Sequence, residues 1–197
     1  MRDRRAIVDT GLGPVAFVTV NALAGLETAA AVAVGLSVIV AVVRALRREP
    51  VTNAIGGLLG TGLAVFIALR SGSAEGYFVP RMIYAAALAL VFAGSVVVRR
   101  PIVGYLVGLL YRAPPEWVRD GRVKRAMSEV TLAWAGLFAL RAIVYAVLIA
   151  AGKAGWLAAA SVAMGWPAFG LLLFFSYRYL PRRLAQLGAP ERPAPAA

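Results

Sequence analysis

Apolar residues come in long blocks along this chain, and short basic patches separate the blocks. A helix needs about 20 apolar residues to cross a hydrocarbon core of about 30 Å, and most of the blocks approach that length. The pattern therefore predicts an all-α integral membrane protein whose residues 1–183 form a bundle of six transmembrane helices. The predicted spans cover residues 11–24, 27–46, 53–69, 78–98, 127–151 and 156–179.

Two further segments differ from these spans. Residues 101–111, PIVGYLVGLLY, make an apolar stretch of about half a span. This length predicts a helix that either lies in the membrane interface or re-enters the membrane. Residues 184–197 end in a run rich in Ala and Pro, a composition typical of disorder. We expect them to form a disordered cytoplasmic tail.

Lys and Arg residues collect at alternate ends of the predicted spans. This asymmetry predicts orientation, because the cytoplasmic loops of membrane proteins are enriched in Lys and Arg. One side of the membrane receives Arg70, Arg81 and Lys153. The other side receives Arg2, Arg4, Arg5, Arg44, Arg47, Arg48, Arg99, Arg100, Arg112, Arg119, Arg122, Lys124, Arg125, Arg178, Arg182, Arg183 and Arg192. We predict that this second side and both termini are cytoplasmic.

The net charge of +12 could indicate nucleic-acid binding, but these charges border the apolar runs. A basic surface beside a membrane attracts anionic lipid head groups. Anionic head groups on the cytoplasmic face are therefore the predicted partners, and nucleic acid is not. Four arginines that precede apolar segments form what we call the basic belt: Arg47, Arg48, Arg99 and Arg100.

The chain contains neither His nor Cys. Haem ligation by these residues, thiol chemistry and imidazole acid–base catalysis are therefore excluded. The nine acidic residues are mostly isolated, and no paired Asp motif is present to hold a magnesium diphosphate. We predict no metal, no cofactor and no catalytic residue. A membrane enzyme would have to use Glu27, Arg141 and tyrosine hydroxyls.

Arg141 lies in the middle of an apolar run, FALRAIVYAV, that extends from Phe138 to Val147. An arginine at the centre of a membrane helix is unfavourable by about 2.5–3.5 kcal/mol on insertion scales, so it should face a partner inside the bundle. We hypothesise that Glu27 is this partner, together with the carbonyl group of Ala163. Pro167 would free that carbonyl by removing one helical hydrogen bond.

Two interpretations of Arg141 remain open. It either holds the bundle together through an ion pair or a carbonyl, or it forms part of a polar pocket for an anionic ligand or an ion path. The outer-side aromatic residues also fit an interfacial belt, and Glu27 and Arg81 could extend to water. The residues predicted to line the pocket are Arg141, Glu27, Asn21, Arg81, Tyr84, Tyr145 and Pro167.

The sequence GGLLGTG contains the small-residue pair Gly56 and Gly60, spaced one helical turn apart. In lipid such pairs let helix backbones approach closely. We predict a role in helix packing. A seam between two copies of the chain and a flexible gate are the alternatives.

Two runs resemble an actinobacterial membrane family designated domain of unknown function 3159. They are GYFVPRMIYAAALALVFAGSVVVRRPIVGYLVGLL and TLAWAGLFALRAIVYAVLIAAGKAGWLAAASVAMGWPAFGLLLFFSYRYL. The earlier stretch VRALRREPVTNAIGGLLG fits the same pattern. The resemblance implies the membrane architecture and no particular activity. The aromatic residues and the RRP motif are also distantly similar to the bacterial intracellular septation proteins.

These observations favour a non-catalytic, multi-pass protein of the cell membrane that acts in the cell envelope through membrane partners or lipid. A partner protein would be a second copy of the chain or another membrane protein. The alternative is a small transporter or channel-like protein with an outer-half polar pocket around Arg141.

The predicted topology can be tested with reporter fusions. A fluorescent reporter that matures only in the cytoplasm should be active when fused after Ala197, and also when inserted between Pro114 and Pro115. A periplasm-dependent phosphatase at the same two positions should be inactive. Phosphatase activity at either position would contradict the count of six spans.

Overall fold

The computed structural model describes residues 14–46, 51–110 and 114–189. All regular structure in these ranges is helical, which confirms the prediction of an all-α protein. In chain order the helices are α1 (Pro14–Ala24), α2 (Leu26–Leu46), α3 (Val51–Ser71), a 3-10 helix (Ala74–Phe78), α4 (Val79–Val97), α5 (Ile102–Leu110), α6 (Pro115–Arg119), α7 (Gly121–Ala150), α8 (Ala154–Ala163) and α9 (Trp166–Gln186).

Four helical segments are long and apolar enough to cross a membrane: Leu26–Val43, Ala74–Val97, Gly121–Ala150 and Ala154–Gln186. Pro14–Ala24 and Ile55–Ser71 are apolar but shorter. At 1.5 Å per residue, α1 is about 16 Å long, roughly half of a hydrocarbon core. The four longer segments are those of a membrane protein, while the count of six spans stays a prediction.

The chain forms two compact units. The first unit combines Met1–Ile83 with Ala142–Pro167, and a chain of aromatic rings lies in its core. Phe17 stacks on Tyr77 with ring centres 4.2 Å apart, and Tyr77 meets the edge of Phe78 at 5.4 Å. Phe78 in turn contacts Tyr145 at 6.5 Å. The rings join α1, the 3-10 helix and α7.

Alanines fill the contact between α2 and α3 in this unit. Ala29 and Ala33 of α2, with Ala64 and Ala68 of α3, are buried in its core. Such small side chains allow two helix backbones to approach closely in lipid. A Cβ atom added to Gly56 or Gly60 would have no heavy atom within 4 Å, and the role of these two glycines in helix packing stays a prediction.

The second unit combines Tyr84–Arg141 with Ala168–Ala197. Trp134 of α7 lies at the centre of its core, where its ring contacts Phe169 at 4.7 Å. Its indole N–H donates a hydrogen bond to the hydroxyl of Ser176 at 3.2 Å. A buried indole needs such an acceptor, because an unpaired N–H in an apolar core is unfavourable. The bond therefore fixes α7 against α9.

Besides Gly25 after α1, which has a φ of 84°, three glycines with left-handed backbone end helices with a shared pattern of hydrogen bonds. These glycines are Gly72 after α3, Gly152 after α7 and Gly188 after α9, with φ angles of 64°, 63° and 59°. The residue after each glycine donates its N–H to the carbonyl group five positions back. These bonds run from Ser73 to Ala68, from Lys153 to Leu148 and from Ala189 to Leu184. The pattern is the Schellman motif, which satisfies carbonyl groups that the helix end leaves free.

Helix α4 ends in the same motif with an arginine in the glycine position. Arg99 has a φ of 57° and is the one non-glycine residue with a positive φ in the described part of the chain. Its N–H bonds to Val96 at 2.9 Å, and the N–H of Arg100 bonds to Ser95 at 2.8 Å. A side chain in this conformation is unfavourable by roughly 1–2 kcal/mol, which glycine avoids. Arg99 therefore occupies a strained position.

The segment predicted as the sixth span consists of two helices. α8 ends at Ala163, α9 begins at Trp166, and Pro167 lies in the first turn of α9. A proline there removes no helical hydrogen bond, because the first N–H groups of a helix have no partner within it. Gly165 belongs to this break, since an added Cβ atom would lie 2.8 Å from the carbonyl oxygen of Ser161.

Helix α9 continues to Gln186, beyond the predicted start of the tail. Leu184 is buried in the second unit. Residues 190–197, which make up most of the predicted tail, lie outside the described residues.

Replacing Gly76 with alanine should destabilise the first unit. The added Cβ atom would lie 2.2 Å from the Ser71 hydroxyl and 3.0 Å from the Cα atom of Ala68, so the 3-10 helix would have to shift. We expect a loss of about 1–3 kcal/mol, typical of overpacking. Thermal unfolding in detergent measures the effect. Gly60→Ala is the matched control, because its Cβ atom meets nothing within 4 Å and alanine favours the helix. Equal losses in both variants would contradict the structure.

Candidate functional site

The residues of the predicted polar pocket fall into different environments. In the first unit Tyr145 is buried, Asn21 and Arg81 are half-buried, and Glu27 and Pro167 are exposed. In the second unit Arg141 is half-buried, and Tyr84 is exposed to 66%. Since these residues divide between the two units, the pocket stays a prediction.

A polar contact that the sequence did not reveal lies in the first unit. The side chain of the buried Tyr77 shares a hydrogen bond with Thr61, and the charge of Arg81 acts on it. The three residues come from α3, the 3-10 helix and α4. The hydrogen bond therefore links α3 to the 3-10 helix, near Arg81 of α4. The signal in the sequence was only that Tyr77 and Arg81 lie one helical turn apart.

In the second unit, Glu129 of α7 accepts hydrogen bonds from two residues of α9. The guanidinium of Arg183 binds both carboxylate oxygens, with distances of 2.6 and 2.7 Å. The hydroxyl of Tyr179 donates to the same carboxylate at 2.8 Å, and Arg125 lies 3.6 Å away, one turn earlier on α7. Bidentate, charge-assisted bonds of this kind are among the stronger ones in proteins. The carboxylate thus serves to fix α9 to α7.

Asp120 caps the beginning of α7. Its carboxylate accepts hydrogen bonds from the backbone N–H of Arg122 at 2.7 Å and of Val123 at 3.4 Å, as an N-cap residue does. The side chain of Arg122 binds the same carboxylate at 3.0 Å and also donates to the carbonyl group of Gly188.

The side-chain hydrogen bond from Arg122 lowers the pKa of Asp120. The stabilisation from the ionised cap is therefore complete above the ordinary carboxyl pKa of about 4. It is lost as the pH falls through the lowered pKa. At neutral pH the cap is fully ionised, and it holds α7 at the point where the basic first turns of that helix begin.

A small cavity lies where the turn between α4 and α5 meets α6 and the first turns of α7. Its volume is about 20 Å³, enough for one or two water-sized groups. The residues that line it are Arg99, Arg100, Pro101, Gly104, Tyr105, Trp117, Val123, Lys124 and Met127. All of them belong to the second unit. We call this feature the basic cavity.

The basic cavity combines three cations with two aromatic side chains. In the part of the chain that the structure describes, Arg99, Arg100 and Lys124 form no ion pair, whereas Arg122 and Arg183 do. The first turn of α5 also lies at the cavity, and the N-terminal end of a helix carries a partial positive charge. This arrangement favours an anion.

The aromatic residues give the cavity an apolar side. Trp117 is only 5% exposed, while Tyr105 is 55% exposed. Aromatic side chains of this kind are enriched where a membrane meets water. Within the described ranges no three acidic side chains come together as metal ligands would. The residues that line the cavity thus combine positive charge, which suits a negatively charged oxygen group, with an apolar surface.

The structure describes two of the four arginines of the predicted basic belt. Arg99 and Arg100 line the basic cavity, while Arg47 and Arg48 lie outside the described residues. Sequence reasoning missed Lys124, Tyr105 and Trp117 as their neighbours. The missing information is the packing of α6 and α7 against the turn, which no local pattern encodes.

The Glu129–Arg183 contact should show coupling in a double-mutant cycle. Glu129→Gln and Arg183→Gln should each lower the melting temperature in detergent, because each leaves a charged partner behind. The double variant should lose less than the two single losses combined. Arg182→Gln, an exposed neighbour on α9, is the control and should change little. Strictly additive losses would show that the two side chains do not stabilise each other.

A family model of proteins of unknown function, designated DUF3159, matches residues 3–186. The match covers both units, including all residues of the basic cavity. Neither a curated protein nor a solved structure shows significant similarity to the chain. The match extends over nearly the whole sequence, and the chain is therefore a member of the DUF3159 family.

Proposed function

We propose that this chain is a non-catalytic, multi-pass membrane protein of the cell envelope that acts by binding anionic lipid at its cytoplasmic face. In this proposal the chain has six spans with both termini in the cytoplasm. The observation that carries the proposal is the basic cavity, where Arg99, Arg100 and Lys124 lie together without an ion-pair partner in the described ranges.

The charges and their surroundings support lipid as the partner. A Lys or Arg residue near an anionic membrane surface contributes about 1 kcal/mol to binding, and salt screens the attraction over about 8–10 Å. The cavity adds Tyr105 and Trp117, which suit the head-group region. The exposed surface of the four candidate spans is largely apolar, so such basic residues would lie next to lipid.

The pairing of Glu129 with α9 helps to leave the surface around the basic cavity positively charged. Glu129 is the acidic residue within α7, the helix that also carries Arg122, Lys124 and Arg125. Its carboxylate is bound on both oxygens by Arg183 and also by Tyr179. The acid is therefore paired within the unit, and among the described residues no carboxylate forms an ion pair with the three cations of the cavity.

Lipid retention tests the proposal. The double variant Arg99→Gln with Arg100→Gln should lower the binding of phosphatidylglycerol by about 2 kcal/mol, at about 1 kcal/mol per arginine. Native mass spectrometry of the purified protein, with phosphatidylcholine as the neutral lipid, measures this loss. The loss should shrink as the salt concentration rises, because the attraction is electrostatic.

The matched control is Arg70→Gln with Lys153→Gln. It removes the same charge from exposed residues on the predicted outer side. This control should retain phosphatidylglycerol. The proposal is wrong if the Arg99 and Arg100 variant binds the lipid as tightly as the unmodified protein, or if the control loses as much.

A further inference from the structure

Arg99 has the left-handed backbone conformation that glycine adopts most easily. The equivalent position after α3, α7 and α9 is Gly72, Gly152 or Gly188, each with a φ between 59° and 64°. The backbone bonds at the end of α4 are already complete, since Arg99 bonds to Val96 and Arg100 bonds to Ser95. These backbone bonds do not require the arginine side chain, and glycine would form them without strain. Strain of this type in a backbone is most often kept where the side chain has a function.

Arg99 is one of the residues that line the basic cavity. Arg100 and Lys124 are the other cations there, and Gly104 allows the close approach of α5 to Met127. Arginine presents a planar fork of N–H donors that matches the oxygens of a phosphate group. The volume of about 20 Å³ has room for one or two oxygen-sized groups.

Helix α5 explains why the phosphate would belong to a lipid. It begins beside the cavity at Ile102 and ends at Leu110. Tyr105, Leu106 and Leu109 follow the cavity on this helix and are 55%, 56% and 80% exposed. An acyl chain would cover this apolar surface, and a free phosphate ion would not.

We propose that the basic cavity is a binding site for the phosphate group of a membrane phospholipid, with Arg99 as its anchoring residue and the acyl chains along α5. This inference rests on the proposed function, because it assigns the anionic lipid to one site. General attraction to the basic surface would depend on the number of charges. Binding at the site depends also on the shape of the cavity.

Two variants of the full chain separate these cases. Arg99→Gly removes the anchoring guanidinium and relieves the strained backbone. It should raise the melting temperature in lipid-free detergent by about 2–4 °C, the shift expected for relief of this size. It should also weaken phosphatidylglycerol binding about fivefold, the effect of one well-placed cation.

Gly104→Ala changes no charge and places a methyl group in the cavity. Its Cβ atom would lie 3.4 Å from the side chain of Met127 and 3.6 Å from that of Pro101, which the fold can accommodate. It should weaken phosphatidylglycerol binding several-fold while the melting temperature stays within a few degrees. Arg178→Gln, an exposed arginine in the same unit, is the charge control and should bind as the unmodified protein does.

The outcomes distinguish the site from the proposed function. Full binding by Gly104→Ala, together with loss in the Arg99 and Arg100 double variant, would overturn the site and leave the proposed function standing. Equal losses in Arg99→Gly and Arg178→Gln would also overturn it, because the attraction would then be diffuse. Binding of inorganic phosphate as tight as that of phosphatidylglycerol would overturn the lipid as the ligand, because the acyl chains along α5 would then contribute nothing. A lower melting temperature for Arg99→Gly would contradict the strained turn.

Discussion

A polypeptide inside hydrocarbon must satisfy its backbone N–H and C=O groups within itself, and this constraint accounts for most of the structure. The described chain is helical, and the turns between helices recover hydrogen bonds that the helix ends leave open. Polar side chains obey the same constraint. The hydroxyl groups of Ser37, Thr131 and Ser161 donate to carbonyl groups of the preceding turn. Among the described residues, every buried side-chain N or O atom has a partner.

The helices could be predicted from the sequence because their signal is local. The predicted span 27–46 corresponds to α2 at Leu26–Leu46, and the predicted span 78–98 contains α4 at Val79–Val97. The sequence placed the start of the fifth span at residue 127, whereas α7 begins at Gly121. Hydrophobicity marks the part of a helix that suits lipid. The end of the helix depends instead on the cap at Asp120, which lies among charged residues.

The contacts between distant residues could not be predicted in this way. Glu129 and Arg183 are 54 positions apart, and nothing in either neighbourhood indicates the other. The basic cavity needs the turn after α4, the short helix α6 and the first turns of α7 together. Arg99 and Arg100 were recognised as a basic pair because adjacent charges are visible in a sequence. The left-handed backbone of Arg99 was not, since arginine gives no sign of that conformation.

The length of α5 has a consequence for the two leaflets of a bilayer. Its nine residues measure about 14 Å, less than half of a hydrocarbon core of about 30 Å. A helix of this length can reach through one leaflet at most, unlike the four segments that are long enough to cross both. A helix that adds area to one leaflet favours bending of the bilayer. The binding of such helices therefore depends on membrane curvature. Under the proposed topology, α5 would add its area to one leaflet only, next to the strained Arg99.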